Sequence, residues 1–267
     1  MDDLTPLFAD PCWMFVHLAQ AADVGVIMRR GPTNWWRLTL WDTRRDRFEK
    51  GQWFRGRVYP ERCDVSPDGK LFVYFAGKFK YPETGGYGDT WTAVSRPPHF
   101  TALALWTVGG TWGGGGIFKD NRRLTIGYGN AHPNHPPGPL RVVESWPGAT
   151  SSWMTGWTAV AAPGNKRMPE AFRKTVGIWT LERHAQDRYP WRKPSLYTLY
   201  RNTVQPVALF EAQWADFDQR GRLVATAGGR VLGAKLAKKN DLDWRELAAF
   251  HEERPERMEA PAWAQRW

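Results

Sequence analysis

One stretch of the sequence recurs 152 residues later, and this recurrence limits the folds that the chain can adopt. The segment DVSPDGKLFVYFAGK, which begins at Asp64, aligns without gaps on DFDQRGRLVATAGGR, which begins at Asp216. In the first copy, Ser-Pro-Asp-Gly is a strong turn signal, because Pro fixes φ and Gly accepts a positive φ. The runs that follow each turn are apolar and rich in strand-forming residues. A strand, a tight turn and a second strand are therefore predicted twice.

Weaker copies extend the recurrence to most of the chain. The segment KDNRRLTIGYG lies between the two strong copies, and KTVGIWTL lies near residue 174, where a period of about 50 residues places another. A further copy is expected near Val26. One apolar residue is predicted to be equivalent in the later copies: Leu71, Leu124, Val176 and Leu223.

Five repeats of about 50 residues lie at the upper end of the repeat lengths of β-propellers. In a propeller, four-stranded sheets repeat around an axis and protect one another's edges. The predicted fold is therefore all-β and β-propeller-like, in a single domain that spans residues 1–267. The 17 Trp residues agree with such a body, because each Trp can bury a large area between sheets.

The stretch from Asp89 to Leu124 has the most irregular composition in the chain. It contains three Trp, the pair Pro97-Pro98 and the run Gly113–Gly116. Two consecutive prolines remove two backbone donors, so they cannot belong to a central strand. The Gly run lacks the following helix and the Lys-Ser/Thr pair of a phosphate-binding loop. It is therefore predicted to be a tight crossing beneath Trp112.

Four residues of this stretch are predicted to bind a protein partner. Arg beside Trp is typical of interface hot spots. The corners at Ser95–Pro98 and Trp112–Gly116 meet only if the chain turns back at Gly109-Gly110, which a Gly-Gly pair permits. We expect this turn, so that both corners share one end face. The predicted partner-binding residues are Trp91, Ser95, Arg96 and Trp112.

The charge of the chain favours anionic partners and points to nucleic acid as an alternative. The formal net charge is +10, and Arg29 to Lys80 contains thirteen Lys and Arg against six Asp and Glu. Basic and aromatic residues interleave there, an arrangement that can stack on single-stranded bases. The residues of this alternative are Arg29, Arg30, Trp35, Trp36, Arg37, Arg44 and Arg45.

Candidate catalytic and metal-binding residues are few, and each has a structural interpretation. His132 and His135 are two of the ligands that zinc would need, but they lie on a Pro-rich loop without a second cluster. Asp64 and Asp216 could pair for hydrolysis, although an Asp beside such a turn more often accepts backbone hydrogen bonds. Cys63 could act as a nucleophile only beside a His. No catalytic residue, metal or cofactor is predicted.

Compartment is inferred from the cysteines and the N-terminus. The two cysteines, Cys12 and Cys63, are too few for a disulfide framework and are expected to be free thiols. Acidic residues follow Met1, where a signal peptide would carry positive charge. No apolar run approaches the roughly 18 residues of a membrane span. A cytoplasmic location without membrane association is therefore expected.

Three motifs resemble a family of uncharacterised bacterial, Trp-rich, β-propeller-like proteins. They are CDVSPDGKLFVYF at residues 63–75, WTAVSRPP at 91–98 and WGGGGIF at 112–118. The resemblance covers most of the chain and implies a bacterial source, but it implies no activity. The sequence therefore predicts a non-catalytic binding module or scaffold for a protein partner in the bacterial cytoplasm. The alternatives are a nucleic-acid-binding protein and a propeller-type hydrolase acting on a small or carbohydrate substrate.

Overall fold

The computed structural model describes residues 12–79, 88–145, 154–162, 165–184, 194–202, 205–236 and 242–267. The prediction of an all-β protein is confirmed: within these ranges the regular structure is β-strand, with short 3-10 turns at Pro60–Arg62 and Ala262–Ala264. No helix in these ranges is long and apolar enough to cross a membrane.

Thirteen strands are found in the described residues before residue 146. They are β1 (Trp13–Leu18), β2 (Val24–Arg30), β3 (Trp35–Asp42), β4 (Arg47–Arg55), β5 (Arg57–Val58), β6 (Asp64–Val65), β7 (Phe72–Gly77), β8 (Thr90–Ser95), β9 (Ala104–Val108), β10 (Gly116–Phe118), β11 (Arg123–Ile126), β12 (Asn130–Ala131) and β13 (Arg141–Glu144).

Nine strands are found in the described residues after residue 153. They are β14 (Trp157–Ala162), β15 (Asn165–Val176), β16 (Trp179–His184), β17 (Ser195–Arg201), β18 (Gln205–Ala212), β19 (Trp214–Phe217), β20 (Leu223–Ala227), β21 (Arg230–Ala234) and β22 (Trp244–Ala249).

These strands form five separate sheets, called A to E here. Sheet A has the order β1-β2-β3-β4, and sheet B has the order β12-β9-β8-β7-β5, with β6 also paired to β7. Sheet C has the order β10-β11-β13, sheet D runs from β14 to β18, and sheet E runs from β19 to β22. β11 and β13 pair in parallel, whereas pairs such as β7 with β8 and β16 with β17 are antiparallel. Sequential antiparallel neighbours follow from the short turns between most strands.

The chain divides into two compact units. Unit 1 comprises Met1–Phe15 and Met154–Glu253, and unit 2 comprises Val16–Trp153 and Arg254–Trp267. Each unit has its own apolar core. In unit 2, Val73 and Trp106 of sheet B pack with Leu124 of sheet C, and in unit 1, Tyr197 of sheet D packs with Leu223 of sheet E. The expectation of a single domain stays a prediction.

The strong sequence copies form hairpins, as predicted. The copy at Asp64 forms β6, a turn and β7, and the copy at Asp216 lies across β19, a turn and β20. Gly69 and Gly221 occupy the same place in the two turns, with φ values of +75° and +69°. The intermediate copy forms the hairpin of β10 and β11. The local turn chemistry therefore predicted these hairpins correctly.

The predicted equivalence of Val176 is wrong. Leu124 and Leu223 follow their turns and pair with Phe118 and Phe217. Val176 instead precedes its turn and pairs with Trp179. The turn between them has only two residues, Gly177-Ile178, so the apolar position of this copy moves to the other strand of the hairpin.

Candidate functional surfaces

Asp64 is a structural residue of unit 2. Its side chain is fully buried, and Oδ1 accepts a hydrogen bond of 2.6 Å from the backbone N–H of Val65. Oδ2 accepts a second, of 2.7 Å, from the N–H of Phe118 on β10. One carboxylate therefore ties the hairpin of sheet B to the first strand of sheet C. Such a group is committed to the fold and is poorly suited to acid or base catalysis.

Asp216 occupies the corresponding position in unit 1 and is also engaged. Oδ1 accepts from the N–H of Phe217 at 2.7 Å and lies 2.7 Å from Nζ of Lys174, while Oδ2 accepts from Nε1 of Trp157 at 3.2 Å. Burial raises the pKa of Asp216, against the opposing effect of Lys174 and the hydrogen bonds. The interpretation of both aspartates as acceptors at their turns agrees with this geometry.

Cys63 and the His pair do not form a reactive or metal site among the described residues. Cys63 is a buried free thiol whose Sγ lies 3.2 Å from the carbonyl oxygen of Tyr59, and burial raises its pKa. The rings of His132 and His135 lie 5.6 Å apart between centroids. No group of three possible metal ligands occurs in the described residues. Cys12 is likewise a buried free thiol.

Sheet D carries an ionic cluster around Glu182 that the sequence did not predict. Glu182 receives hydrogen bonds from Arg173 through Oε2, and its Oε1 lies 2.8 Å from Nε2 of His184 and 3.3 Å from the Tyr200 hydroxyl. Burial acts to raise the pKa of Glu182, but Arg173 and His184 outweigh it and the pKa is lowered. A carboxylate held ionised by these partners is a weak base. The cluster spans three strands, and no spacing along the chain indicates it.

The structure divides the proposed nucleic-acid residues into buried and exposed groups. Arg29 and Arg37 are only 2% exposed. They are direct neighbours on β2 and β3, and their guanidinium groups lie 5.2 and 5.3 Å from the ring centroid of Trp53 on β4. Arg37 also contacts Glu256 at 3.2 Å. These two arginines stabilise sheet A through cation–π contacts and are not accessible to a base.

The remaining residues of that set differ in position. Trp36 is buried, and Trp35 is partly buried, with its ring 5.9 Å from the guanidinium of Arg55. Arg30 is partly buried at the end of β2. Arg44 and Arg45 are exposed on the turn between β3 and β4. The predicted row of alternating basic and aromatic side chains therefore does not form one accessible surface. Successive residues of a strand point to opposite faces of the sheet, so the members of the row are separated.

Two of the four proposed partner-binding residues are interior. Trp91 and Ser95, on β8, are buried at 8% and 0% exposure. Arg96 is partly buried, and its Nε lies 3.4 Å from the carbonyl oxygen of Arg266. Trp112, by contrast, is 80% exposed. Of this set, Trp112 alone presents a large apolar side chain to solvent.

The expectation that Arg96 and Trp112 share one end face is wrong. Ser95, directly before Arg96, pairs with Phe72 at the start of β7, whereas Thr90 pairs with Val108 at the end of β9. The hydroxyl of Thr90 donates to the carbonyl oxygens of Val108 and Gly110, at 2.5 and 2.8 Å. Trp112 follows two residues later, so the two residues lie toward opposite ends of sheet B. The Gly pair turns the chain toward sheet C instead of back along β9.

The corner that carries Trp112 is fixed by hydrogen bonds and close packing. Nη1 of Arg62 donates to the carbonyl oxygens of Thr111 and Trp112, at 2.5 and 3.0 Å. The N–H of Gly115 donates to the Thr92 hydroxyl at 2.8 Å. Gly114 lies so close to the ring of Phe75 that a Cβ atom would approach it to 2.0 Å. The predicted tight crossing is therefore present, and it holds an exposed Trp in place.

The cations around this corner are themselves held against aromatic rings. The guanidinium of Arg62 lies 5.7 Å from the ring centroid of Tyr59 and 5.5 Å from that of Phe75. Arg57 is exposed on β5, and its guanidinium lies 5.0 Å from the ring centroid of Tyr59. The result is an aromatic anchor with positive charge beside it. We call Arg57, Tyr59, Arg62 and Trp112 the Trp112 corner.

Comparison with known proteins adds little to this description. No protein-family model and no curated protein matches the chain. Among solved structures, it is similar to the uncharacterized protein lmo1340 from Listeria monocytogenes EGD-e. The two chains are 6% identical, the match covers 92% of this chain and 86% of the other, and the TM-score is 0.36.

Proposed function

We propose that this protein is a non-catalytic binding module for a protein partner and that the Trp112 corner is its contact surface. The observation that carries the proposal is an 80% exposed Trp on a backbone fixed by hydrogen bonds. Trp and Arg are enriched among interface hot spots. A preformed anchor also loses less conformational entropy on binding than a mobile one.

The neighbouring charge favours a partner with an acidic rim. Arg62 donates to the backbone of Trp112, and Arg57 and Arg62 both lie against the ring of Tyr59. A complementary acidic surface would steer association and set orientation. The anchor itself would fill an apolar pocket of the partner. The proposal thus combines an apolar centre with a charged margin, which is the usual anatomy of a specific interface.

The candidate catalytic residues support binding over hydrolysis. The carboxylate oxygens of Asp64 and Asp216 already contact backbone N–H groups, Trp157 and Lys174. The thiol of Cys63 is buried. The propeller-like arrangement belongs to the same proposal. Five sheets equal the number of predicted repeats, and repeated sheets of this kind present rigid end surfaces for partners.

Replacing Trp112 with Ala should weaken partner binding by about 30-fold or more, the effect of losing a hot spot worth about 2 kcal/mol. The partner is first identified by photo-crosslinking from position 109, an exposed Gly whose replacement leaves Trp112 in place, in a lysate of the native host. Its purified form is then titrated calorimetrically. Stability should hardly change, because the ring makes few contacts with the rest of the fold.

The control is Leu209→Ala in unit 1, which removes a different exposed apolar side chain, one that is 53% exposed. This variant should bind the purified partner as the wild type does. Equal affinity of the wild type and Trp112→Ala would remove the corner from the interface. A large loss of affinity in both variants would show that exposed apolar area in general, not this anchor, captures the partner.

A further inference from the structure

The positive charge of the chain is concentrated in unit 2. This unit contains 21 of the 37 Lys and Arg residues and 13 of the 27 Asp and Glu residues, a net charge of +8 out of the total of +10. The buried Arg29 and Arg37 account for part of this charge. Much of the remainder lies on turns, and these turns meet at one end of the sheets.

A chain of contacts joins four turns at the end of sheet B opposite the Trp112 corner. The N–H of Thr43 donates to the carbonyl oxygen of Asp23 at 3.0 Å, which joins the β3–β4 turn to the β1–β2 turn. The N–H of Ala21 donates to the carbonyl oxygen of Pro67 at 2.8 Å, which adds the β6–β7 turn. The N–H of Asp68 donates to Oδ1 of Asn121 at 3.0 Å, which adds the β10–β11 turn.

Basic side chains project into solvent along this row of turns. The start of β13 also belongs to this row, because the N–H of Arg141 donates to the carbonyl oxygen of Arg122 in the β10–β11 turn at 2.8 Å. The exposed cations of the row are Arg44, Arg45, Lys70, Lys119, Arg122 and Arg141. We call these six residues the basic ridge.

Aspartates in the same turns pair with only some of the cations there. Asp42 pairs with Arg45 at 3.1 Å, Asp68 with Lys70 at 3.6 Å, and Asp120 with Arg123 at 2.5 Å. Within the described residues, Lys119, Arg122 and Arg141 form no ion pair. An excess of positive charge therefore remains at the β10–β11 end of the ridge.

The geometry of that end suits a phosphate group. Arg123 and Arg141 are direct neighbours on the parallel strands β11 and β13, where like charges are unfavourable unless an anion lies between them. Together with Arg122, Asp120 and Asn121, they line an open groove of about 510 Å³. The Asp120 carboxylate is already satisfied, because Oδ2 accepts from Nε of Arg123 and Oδ1 accepts from the backbone N–H groups of Arg122 and Arg123. A phosphate has further oxygens that can accept from a second Arg.

We propose that the basic ridge binds the phosphate backbone of nucleic acid without reading its sequence. A row of cations distributed over several turns matches a polymer with regularly spaced charges better than a single small anion. The ridge is defined by its cations, so the proposed binding depends on contacts with phosphates. The ridge would then bind backbone phosphates at one end of sheet B while the Trp112 corner faces the other end.

The test is fluorescence anisotropy with labelled 20-nucleotide DNA, single-stranded and duplex, at several salt concentrations. The wild type should bind at least one form, with log K falling linearly as log salt rises. Arg122→Glu/Arg141→Glu should bind at least tenfold more weakly. Its salt dependence should be shallower by about two counterions, one for each lost phosphate contact. Both side chains are exposed, and thermal melting checks that the variant is folded.

The matched control is Lys235→Glu/Arg245→Glu in unit 1, which changes the net charge equally at exposed positions. It should bind DNA as the wild type does. Equal weakening by both double variants would show attraction to net charge and overturn the site. Competition by polyglutamate as effective as that by unlabelled DNA would identify an acidic protein as the ligand class and overturn it as well. So would failure of the wild type to bind either DNA form at about 50 mM salt.

Discussion

Lowering the pH from 7.5 to 5 should reduce the stability of the wild type by about 2 kcal/mol through His17 alone. His17 lies on β1 with no exposed surface, and its ring packs edge-on against Phe72 at 5.8 Å between centroids. Burial lowers its pKa to about 3, and the backbone of Pro60 opposes this only partly.

The sign of the effect follows from the depressed pKa. In the unfolded chain, His17 takes up its proton near pH 6.5, whereas the folded protein resists protonation until about pH 3. The unfolded state therefore binds more protons throughout this window, and stability falls as the pH falls. The contribution of His17 is complete above about pH 6.5 and is lost progressively down to about pH 3.

Urea unfolding of the wild type and His17→Leu at both pH values measures this contribution. The variant removes the titrating group but keeps an apolar side chain, so its loss between pH 7.5 and 5 should be about 2 kcal/mol smaller. Equal losses in the wild type and His17→Leu would mean that His17 is protonated in the folded protein.

Gly114→Ala should destabilise unit 2 by about 3 kcal/mol. The added Cβ would lie 2.0 Å from the ring of Phe75, a distance at which the ring or the backbone must move. Phe75 has little freedom, since it is fully buried, stacks on Tyr59 with 4.7 Å between centroids and lies beneath the guanidinium of Arg62. The close approach therefore requires a residue without a side chain.

Gly110→Ala is the matched control, because a Cβ there meets nothing within 4 Å. It should melt as the wild type does. In the double variant Gly114→Ala/Phe75→Leu, the smaller side chain should relieve the clash, so the two substitutions together should cost less than the sum of their separate effects. Additive effects would show that the ring is not the obstacle, and an unchanged melting temperature in Gly114→Ala would contradict the packing of this corner.

Local chemistry explains why the hairpins were predictable. Gly69 and Gly221 have positive φ in turns whose residues are consecutive in the chain, so their signal is complete within a few positions. The same is true of Asp64 and Asp216, each of which accepts a bond from the next backbone N–H. The failure at Val176 is also local in origin, because a shorter turn changes the register and a fixed period ignores turn length.

The functional surfaces depend on contacts that no local pattern contains. Arg37 pairs with Glu256, which lies 219 positions away in the chain, and strand pairing brings Arg29 and Arg37 to one Trp. Arg96 and Trp112 are 16 positions apart, yet strand direction places them toward opposite ends of one sheet. Exposure and neighbourhood are therefore properties of the packed sheets.

By itself, the sequence determined that the chain is all-β, where its strongest turns lie and which side chains are charged. Those features depend on backbone preferences and apolar patterns within about ten residues. Tertiary structure alone decided that Trp112 stays exposed while Trp91 is buried, and that turns from Thr43 to Arg122 form one basic ridge. The reason is that burial and charge clustering depend on which distant strands pack together, and this packing is determined by contacts throughout the chain.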